Sequence, residues 1–373
     1  MNNSWLKFGM LALLTLMLTL VAGCTGLLPL EKHENVTDII SPSQEHNHEK
    51  ITNQASQRAT FELVEIKRFH EKDKISISSD GLYYCVGRGN EVKFYKNGTL
   101  LWNKSFDQNI TFTAVSDNGE IVVVSFPGKI EVYSNNSELL WDFPVKGEVT
   151  DISISKNLKY FGVLSSIRNP IYTDPEKRKG YLGTNTTTYI YLLDKDGNLL
   201  LNDSNEYFGK AIAVANNGNF VCAFTHLISA YDMDVPLVYY ELNGDKRALY
   251  SLNGFWDVDI SQNGAKIAAM SSNGVKISYM NSSLHKLWNY TRFSGSTARA
   301  VSISSDGNYV LAGLTSGDVT LFDMNGRILG NFNLITELPR SIIADISLNL
   351  DEGMIIAKSI YNDVFIVKFT MKS

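Results

Sequence analysis

A short cassette recurs about seven times between Lys74 and the C-terminus, and a repeat of this length leaves few folds open. The first copy reads Ile75-Ser-Ile-Ser-Ser-Asp-Gly81, Leu82-Tyr-Tyr-Cys-Val-Gly87, Val92-Lys-Phe-Tyr95 and Asn97-Gly-Thr-Leu-Leu-Trp102. Each unit holds a short alternating strand, a polar Gly turn, a more apolar strand, a second turn, a third strand, an Asn-Gly or Asp-Gly hairpin and a fourth strand. The first turn returns at Asn118-Gly119, Asn157-Leu158, Asn217-Gly218, Asn263-Gly264, Asp306-Gly307 and Asp351-Glu352-Gly353, spaced by roughly 38 to 46 residues with one interval of about 60. The hairpin returns at Asn97-Gly98, Asn135-Asn136, Asp196-Gly197, Asn243-Gly244, Asn281-Ser282 and Asn325-Gly326, residue types that tolerate the positive φ of tight turns. Four short strands per unit, repeated seven times, predict an all-β seven-bladed propeller over residues 59–373.

The seventh unit ends after three strands, the last being Val364-Phe-Ile-Val-Lys-Phe369. An unassigned alternating segment, Thr60 to Phe69, lies upstream of the first unit. Leaving it unpaired would expose a sheet edge, so it is expected to supply the missing fourth strand and close the ring. The long third unit owes its length to the polar stretch from Arg168 to Thr188, expected to be a recognition loop in which Pro170, Pro175 and Gly180 interrupt any regular strand.

Charged residues make up 20% of the chain and its net charge is -5, so there is no basic stripe and no nucleic-acid partner is expected. Cys85 and Cys222 fall on second strands of the first and fourth units, on opposite sides of a seven-fold ring, too far apart for a disulfide. Both are expected to be buried free thiols.

The N-terminus addresses the chain to a membrane. After Lys7, the apolar run from Phe8 to Leu20 precedes Val21-Ala-Gly-Cys24, the layout of a secretory signal over residues 1–23. Two readings stand: cleavage with lipid attached at Cys24, or an uncleaved helix, since Leu6 to Leu30 is long enough to span a bilayer. Either leaves the propeller tethered to the external face of the cell membrane. Residues 24–58 form a polar tether; its Glu45-His-Asn-His-Glu49 gives no preorganised metal geometry. Glycosylation sequons begin at Asn35, Asn97, Asn103, Asn109, Asn135, Asn185, Asn202, Asn281 and Asn289.

Several segments resemble known repeat families. Gly98-Thr-Leu-Leu-Trp102, Glu138-Leu-Leu-Trp141 and Leu284-His-Lys-Leu-Trp288 resemble the fourth strand of the PQQ-like, or quinoprotein-like, propeller repeat. Val301-Ser-Ile-Ser-Ser-Asp-Gly307 with Val310-Leu-Ala-Gly313 resembles the WD40-like repeat of exported prokaryotic proteins, and Val21-Ala-Gly-Cys24 resembles the lipobox of prokaryotic lipoproteins. By that resemblance Cys24 is lipidated, and a lipobox with many sequons fits an archaeal cell surface. The resemblance implies a propeller and leaves function open. Quinoprotein dehydrogenases have eight blades, a recurrent tryptophan-docking motif and a calcium site; here only Trp102, Trp141 and Trp288 match, without a recurrent docking motif or a carboxylate-rich calcium loop. No cofactor and no metal are therefore expected.

Geometry says where a site would lie. Counting back from each turn glycine places Lys74, Phe112, Asp151, Ala211, Asp257, Ala300 and Asp345 in one ring at the channel mouth. Lys74, Asp151, Asp257 and Asp345 could bind a cation or polar ligand, or could cap backbone amides. The same face is expected to carry Lys177, Arg178, Lys179, Tyr207, Trp256, Arg299 and Arg340, either as a recognition surface or as inter-blade packing and solvated charge. No nucleophile elbow, zinc-binding helix motif, phosphate loop or paired Cys-x-x-Cys occurs. The expected function is a non-catalytic binding or assembly scaffold for a surface protein or glycan; the alternative is an exported propeller enzyme, quinoprotein-like or carbohydrate-active.

Overall fold

The computed structural model describes residues 58–372 apart from 175–178, 227–233, 253, 272–275, 292–296 and 335–341, and leaves out the side chains of 58, 172–174 and 179–183. Among the described residues the chain is all β, seven four-stranded antiparallel sheets forming the blades of a propeller, with no helix. Blades one to six occupy residues 74–105, 112–144, 148–205, 208–252, 255–291 and 298–333 in chain order. The seventh consists of Ile343–Asn349, Met354–Ser359 and Asp363–Lys372, completed by Arg58–Arg68 as its outer strand.

Closure by the N-terminal strand follows from what the seventh blade would otherwise leave bare. Phe365, Val367 and Phe369 are buried, with Phe61, Leu63 and Ile66 packed against the same core. Pairing runs from Arg58 against Lys372 to Arg68 against Asp363, and a bulge between Leu63 and Glu65 pushes Val64 into solvent. The strand lies slightly upstream of the expected 60–69. Phe69 has left it and packs edge-on against Tyr84 of the first blade, with ring centroids 5.8 Å apart, so the closing segment also ties the last blade to the first.

In five of the seven blades the turn after the first strand is built by one serine. Ser116, Ser155, Ser261 and Ser304 are buried, and each donates its hydroxyl hydrogen to the Asn or Asp two residues on. Each serine oxygen then accepts the main-chain N–H five residues on, at 3.0 Å in all four. Ser78 makes the same pair of contacts in the first blade. The cassette's Ser-x-Asx-Gly is thus a self-satisfied unit whose polar groups can be buried without an orphan. Leu158, at φ 58°, stands in the third blade where its neighbours have glycine.

Two of the three matching tryptophans, Trp141 and Trp288, dock on the following blade. The indole N–H of Trp141 donates to the carbonyl of Lys195 at 2.9 Å, and that of Trp288 donates to the carbonyl of Met324 at 3.0 Å. Both partners lie in the hairpin of the following blade, where Gly197 and Gly326 lie flat against the indole. Sequence spacing could not reveal this because the contact runs between blades.

The long third unit is not an irregular loop. Its second and third strands, Tyr160–Asp174 and Lys179–Asp194, continue as one hairpin beyond the blade, with pairing maintained through Pro170 opposite Thr184. The first strand ends its pairing at Glu148 opposite Ser166, and the fourth at Asn205 opposite Thr188. Beyond those points the ribbon has two free edges, where half of all N–H groups face outward and proline is tolerated. Pro175 and the residues beside it lie outside the description.

Candidate functional site: the mouth face of the ring

Each first strand is the inner edge of its sheet, so its channel-facing N–H groups have no ladder partner and need acceptors from elsewhere. The preceding blade supplies them. Asp151 accepts the N–H of Ile212 at 2.8 Å and Asp257 that of Val301 at 2.7 Å, while their second oxygens accept the N–H groups of Ile152 and Val258. Two residues deeper, Ser153 accepts from Val214 and Asp259 from Ile303. The same inter-blade bond recurs from Val115 to Ser76 and from Leu348 to Ser302.

The seven expected positions are equivalent in register, but their residues divide by role. Lys74, Phe112, Asp151, Ala211, Asp257, Ala300 and Asp345 occupy equivalent register positions, opposite Gly87, Ser125, Leu164, Ala223, Met270, Gly313 and Lys358. Lys74, Asp151 and Asp345 line a common cavity of about 310 Å³ with Phe112 and Lys358. Asp151 and Asp257 act as amide caps. Asp345 is exposed and lies 3.7 Å from the Lys358 ammonium. Burial pushes the Asp151 carboxyl up to about 7, opposed by the Ile212 N–H and aided by the charge of Asp345. Burial also raises Asp257, and raises Asp259 to about 6. Both Asp151 and Asp257 are half-buried. Among the described residues no group of three His, Cys, Asp or Glu side chains could hold a metal ion.

The opposite end of the channel is bridged by its turns. Asn157 donates to Asn216 through both its main-chain N–H and its side-chain amide; Asn216 bonds Gln262, and the Gln262 N–H donates to the Ser305 carbonyl. Lys156 then completes the circuit, its ammonium 2.8 Å from the Ser305 hydroxyl and 3.6 Å from Asp117. These contacts tie five consecutive blades, the second to the sixth, together at that end.

At the mouth, cations and aromatic rings alternate along an arc across the third to sixth blades. The Arg168 guanidinium lies 5.4 Å from the Phe208 ring, and the Lys210 ammonium 5.3 Å from the same ring. Lys210 also lies 4.0 Å from the Trp256 ring, whose other cationic neighbour is Arg299 at 5.3 Å. The arrangement comes from a repeated bulge. Pairing steps from Gly209 to Ala211, from Phe255 to Asp257 and from Ala298 to Ala300, so Lys210, Trp256 and Arg299 each fall out of the ladder just before a ring position. Burial, then the charges of Arg299 and Arg168, push the Lys210 ammonium down to about 8.

Of the expected recognition face, Trp256 and Arg299 are brought together. Tyr207 packs against the fourth-blade core and donates its hydroxyl to the Asp234 carbonyl at 3.3 Å. Lys177, Arg178 and Arg340 lie outside the described residues, as does the side chain of Lys179. The sequence reading missed Lys210, although counting one place back from the ring position Ala211 would have found it. Among the sequon asparagines, Asn97, Asn103, Asn109, Asn185, Asn202 and Asn289 are exposed, while Asn135 and Asn281 are half-buried in hairpins. Asn35, Cys24 and the tether lie outside the described residues. Cys85 and Cys222 are buried free thiols, both pushed up by burial.

No protein-family model matches this chain, and no curated protein sequence matches it.

Proposed function

We propose that this protein is a non-catalytic, membrane-tethered, extracytoplasmic propeller that serves as a binding or assembly scaffold for a surface macromolecule. The observation that carries the reading is the contrast between the two sets of polar groups at the mouth. Asp151 and Asp257, two of the three ring carboxylates that would have to perform chemistry or hold a cation, are committed to main-chain amides of the next blade, and the third, Asp345, is exposed beside the Lys358 ammonium. The cations beside them rest on aromatic faces and point to recognition. An exported enzyme, quinoprotein-like or carbohydrate-active, would have to draw on those same carboxylates, which makes it the weaker reading.

The finer identity belongs to the same proposal: a PQQ-like or WD40-like repeat lipoprotein of a prokaryotic, archaeal-type cell surface, lipidated at Cys24 and glycosylated at its exposed sequons. The closing strand starts at Arg58, opposite Lys372 and at the end of the blade where the third-to-fourth hairpins lie. The test is affinity capture of the detergent-solubilised protein from its own membranes, beside a Cys24→Ser variant. Wild type is expected to carry acyl chains and a reproducible surface partner, and the variant to lose the acyl mass. A wild type that retains residues 1–23 without acylation would refute the lipoprotein reading, and capture of nothing above background would refute the scaffold.

A further inference from the structure

The arc along the mouth face carries more than a general recognition role. We propose that Arg168, Lys210, Trp256 and Arg299 form a docking track for an extended acidic peptide segment of the partner protein, an inference that rests on the scaffold reading above.

Charge is the first argument. The chain has 39 acidic against 34 basic residues, yet this arc gathers three cations. Among the described residues neither Lys210 nor Arg299 forms an ion pair, and Arg168 meets only Glu148, at 3.4 Å between two exposed side chains. The three positive charges are left mutually repelling, and the charges of Arg299 and Arg168 add to burial, the larger cause, in lowering the Lys210 ammonium. An incoming row of carboxylates relieves that repulsion.

Order is the second. Lysine and arginine side chains lose rotamer freedom when they bind, and that loss weakens association. Here the head groups already lie against the Phe208 and Trp256 rings, so part of the ordering precedes binding. Each cation lies within about 6 Å of the ring it shares with the next, so successive charges are on the order of 10 Å apart. Side chains on one face of an extended peptide recur about every 7 Å, a spacing that flexible Glu side chains can match to the track.

The backbone is the third argument, and it favours a peptide over an acidic polysaccharide. Lys210 and Arg299 are both bulge residues outside the blade ladder. A bulge leaves main-chain polar groups outside the sheet pairing, where an extended peptide can bond to them with its own amides. A polyuronate brings the same charges without those groups.

The test uses the full-length protein in detergent and a fluorescein-labelled octaglutamate peptide, with an oligo-uronate of equal charge as comparator. The peptide is expected to bind saturably, to weaken as salt rises, and to bind about tenfold more tightly than the uronate. Lys210→Ala and Arg299→Ala should each weaken it about tenfold, and Trp256→Ala similarly through loss of the platform between them. Lys74→Ala, on the ring but off the arc, should leave affinity within about twofold, and all variants should melt within a few degrees of wild type. No peptide binding, arc variants that bind like wild type, or a uronate that binds as tightly would each overturn the track. If the Lys210→Ala/Arg299→Ala double variant still captures the membrane partner, the track is wrong while the scaffold stands. If octaglutamate binds but the wild type captures no membrane protein, only the scaffold reading fails.

Discussion

Replacing Ser137 with glycine should stabilise this protein, an unusual direction for a substitution at a turn. Ser137 occupies in the second blade the place that Gly197 and Gly326 take in the third and sixth. All three have positive φ, at 67°, 82° and 79°. In the third and sixth blades the glycine lies against the tryptophan of the preceding blade, so closely that an added Cβ would fall 2.8 Å from the Trp141 ring and 3.0 Å from that of Trp288. Those indoles reach the hairpin and donate to it. Trp102 faces Ser137 instead, and its buried indole nitrogen has no hydrogen-bond partner. Glycine there would give the indole the approach to the Asn135 carbonyl that it has at the equivalent Lys195 and Met324.

Glycine at 137 would relieve about 1 kcal/mol of left-handed backbone strain. Docking would satisfy the orphan donor for about 1 kcal/mol more. The extra freedom of glycine in the unfolded chain takes back about 0.7 kcal/mol. The net is about 1 to 2 kcal/mol, or about 2 to 4 °C in melting temperature for a chain of this size. Thermal unfolding should be followed by circular dichroism in a host that does not glycosylate, because the change also removes the Asn135 sequon. The reverse substitutions, Gly197→Ser and Gly326→Ser, should each destabilise by at least as much. A Ser137→Gly protein that melts at or below wild type, with Gly326→Ser unaffected, would refute the docking argument.

Asp151→Ala strands the N–H groups of Ile152 and Ile212 and should cost about 3 kcal/mol in chemical denaturation, whereas Asp345→Ala, whose side chain is 66% exposed and caps nothing, should stay within about 0.5 kcal/mol. Because the folded Asp151 carboxyl is raised from 3.8 to about 7, its contribution is full below the unfolded value and is lost as pH rises through 7. The stability gap between wild type and Asp151→Ala should therefore narrow between pH 4 and pH 8, and a gap that widens would contradict the sign. A chain starting at residue 70 lacks the fourth strand of the last blade and with it the burial of Ala59, Phe61, Leu63 and Ile66; it should lose about 5 kcal/mol or more, and melting at the wild-type temperature would disprove closure. Shortening the third-blade hairpin by joining Ile167 to Thr187 through a two-residue turn should leave the melting temperature within a few degrees, since the ribbon beyond Ser166 pairs only with itself; a large loss would show that it braces the ring.

What the sequence by itself determined is everything written with a period. Seven units, four strands in each, the Gly and Asx turns and the borrowed N-terminal strand are local properties, because strand alternation and turn chemistry act over a few residues and repeat wherever the cassette does. The ring positions were legible for the same reason: a fixed count from a fixed turn lands on equivalent backbone sites. Two things misled it. Pro170 was read as a strand breaker, a rule that holds in a sheet interior and relaxes on the free edges of a ribbon. Ser137 and Leu284 are the left-handed residues in hairpins that the sequence assigned to Asn135-Asn136 and Asn281-Ser282. Only the tertiary structure decided how neighbouring blades use one another's side chains. Whether Asp151 and Asp257 are ligands or amide caps, whether a tryptophan finds a carbonyl, and whether Arg168, Lys210, Trp256 and Arg299 meet all depend on contacts between residues some 40 to 60 positions apart. Those contacts are made across blade seams, where the partner is set by ring geometry and bulge placement rather than by any spacing along the chain.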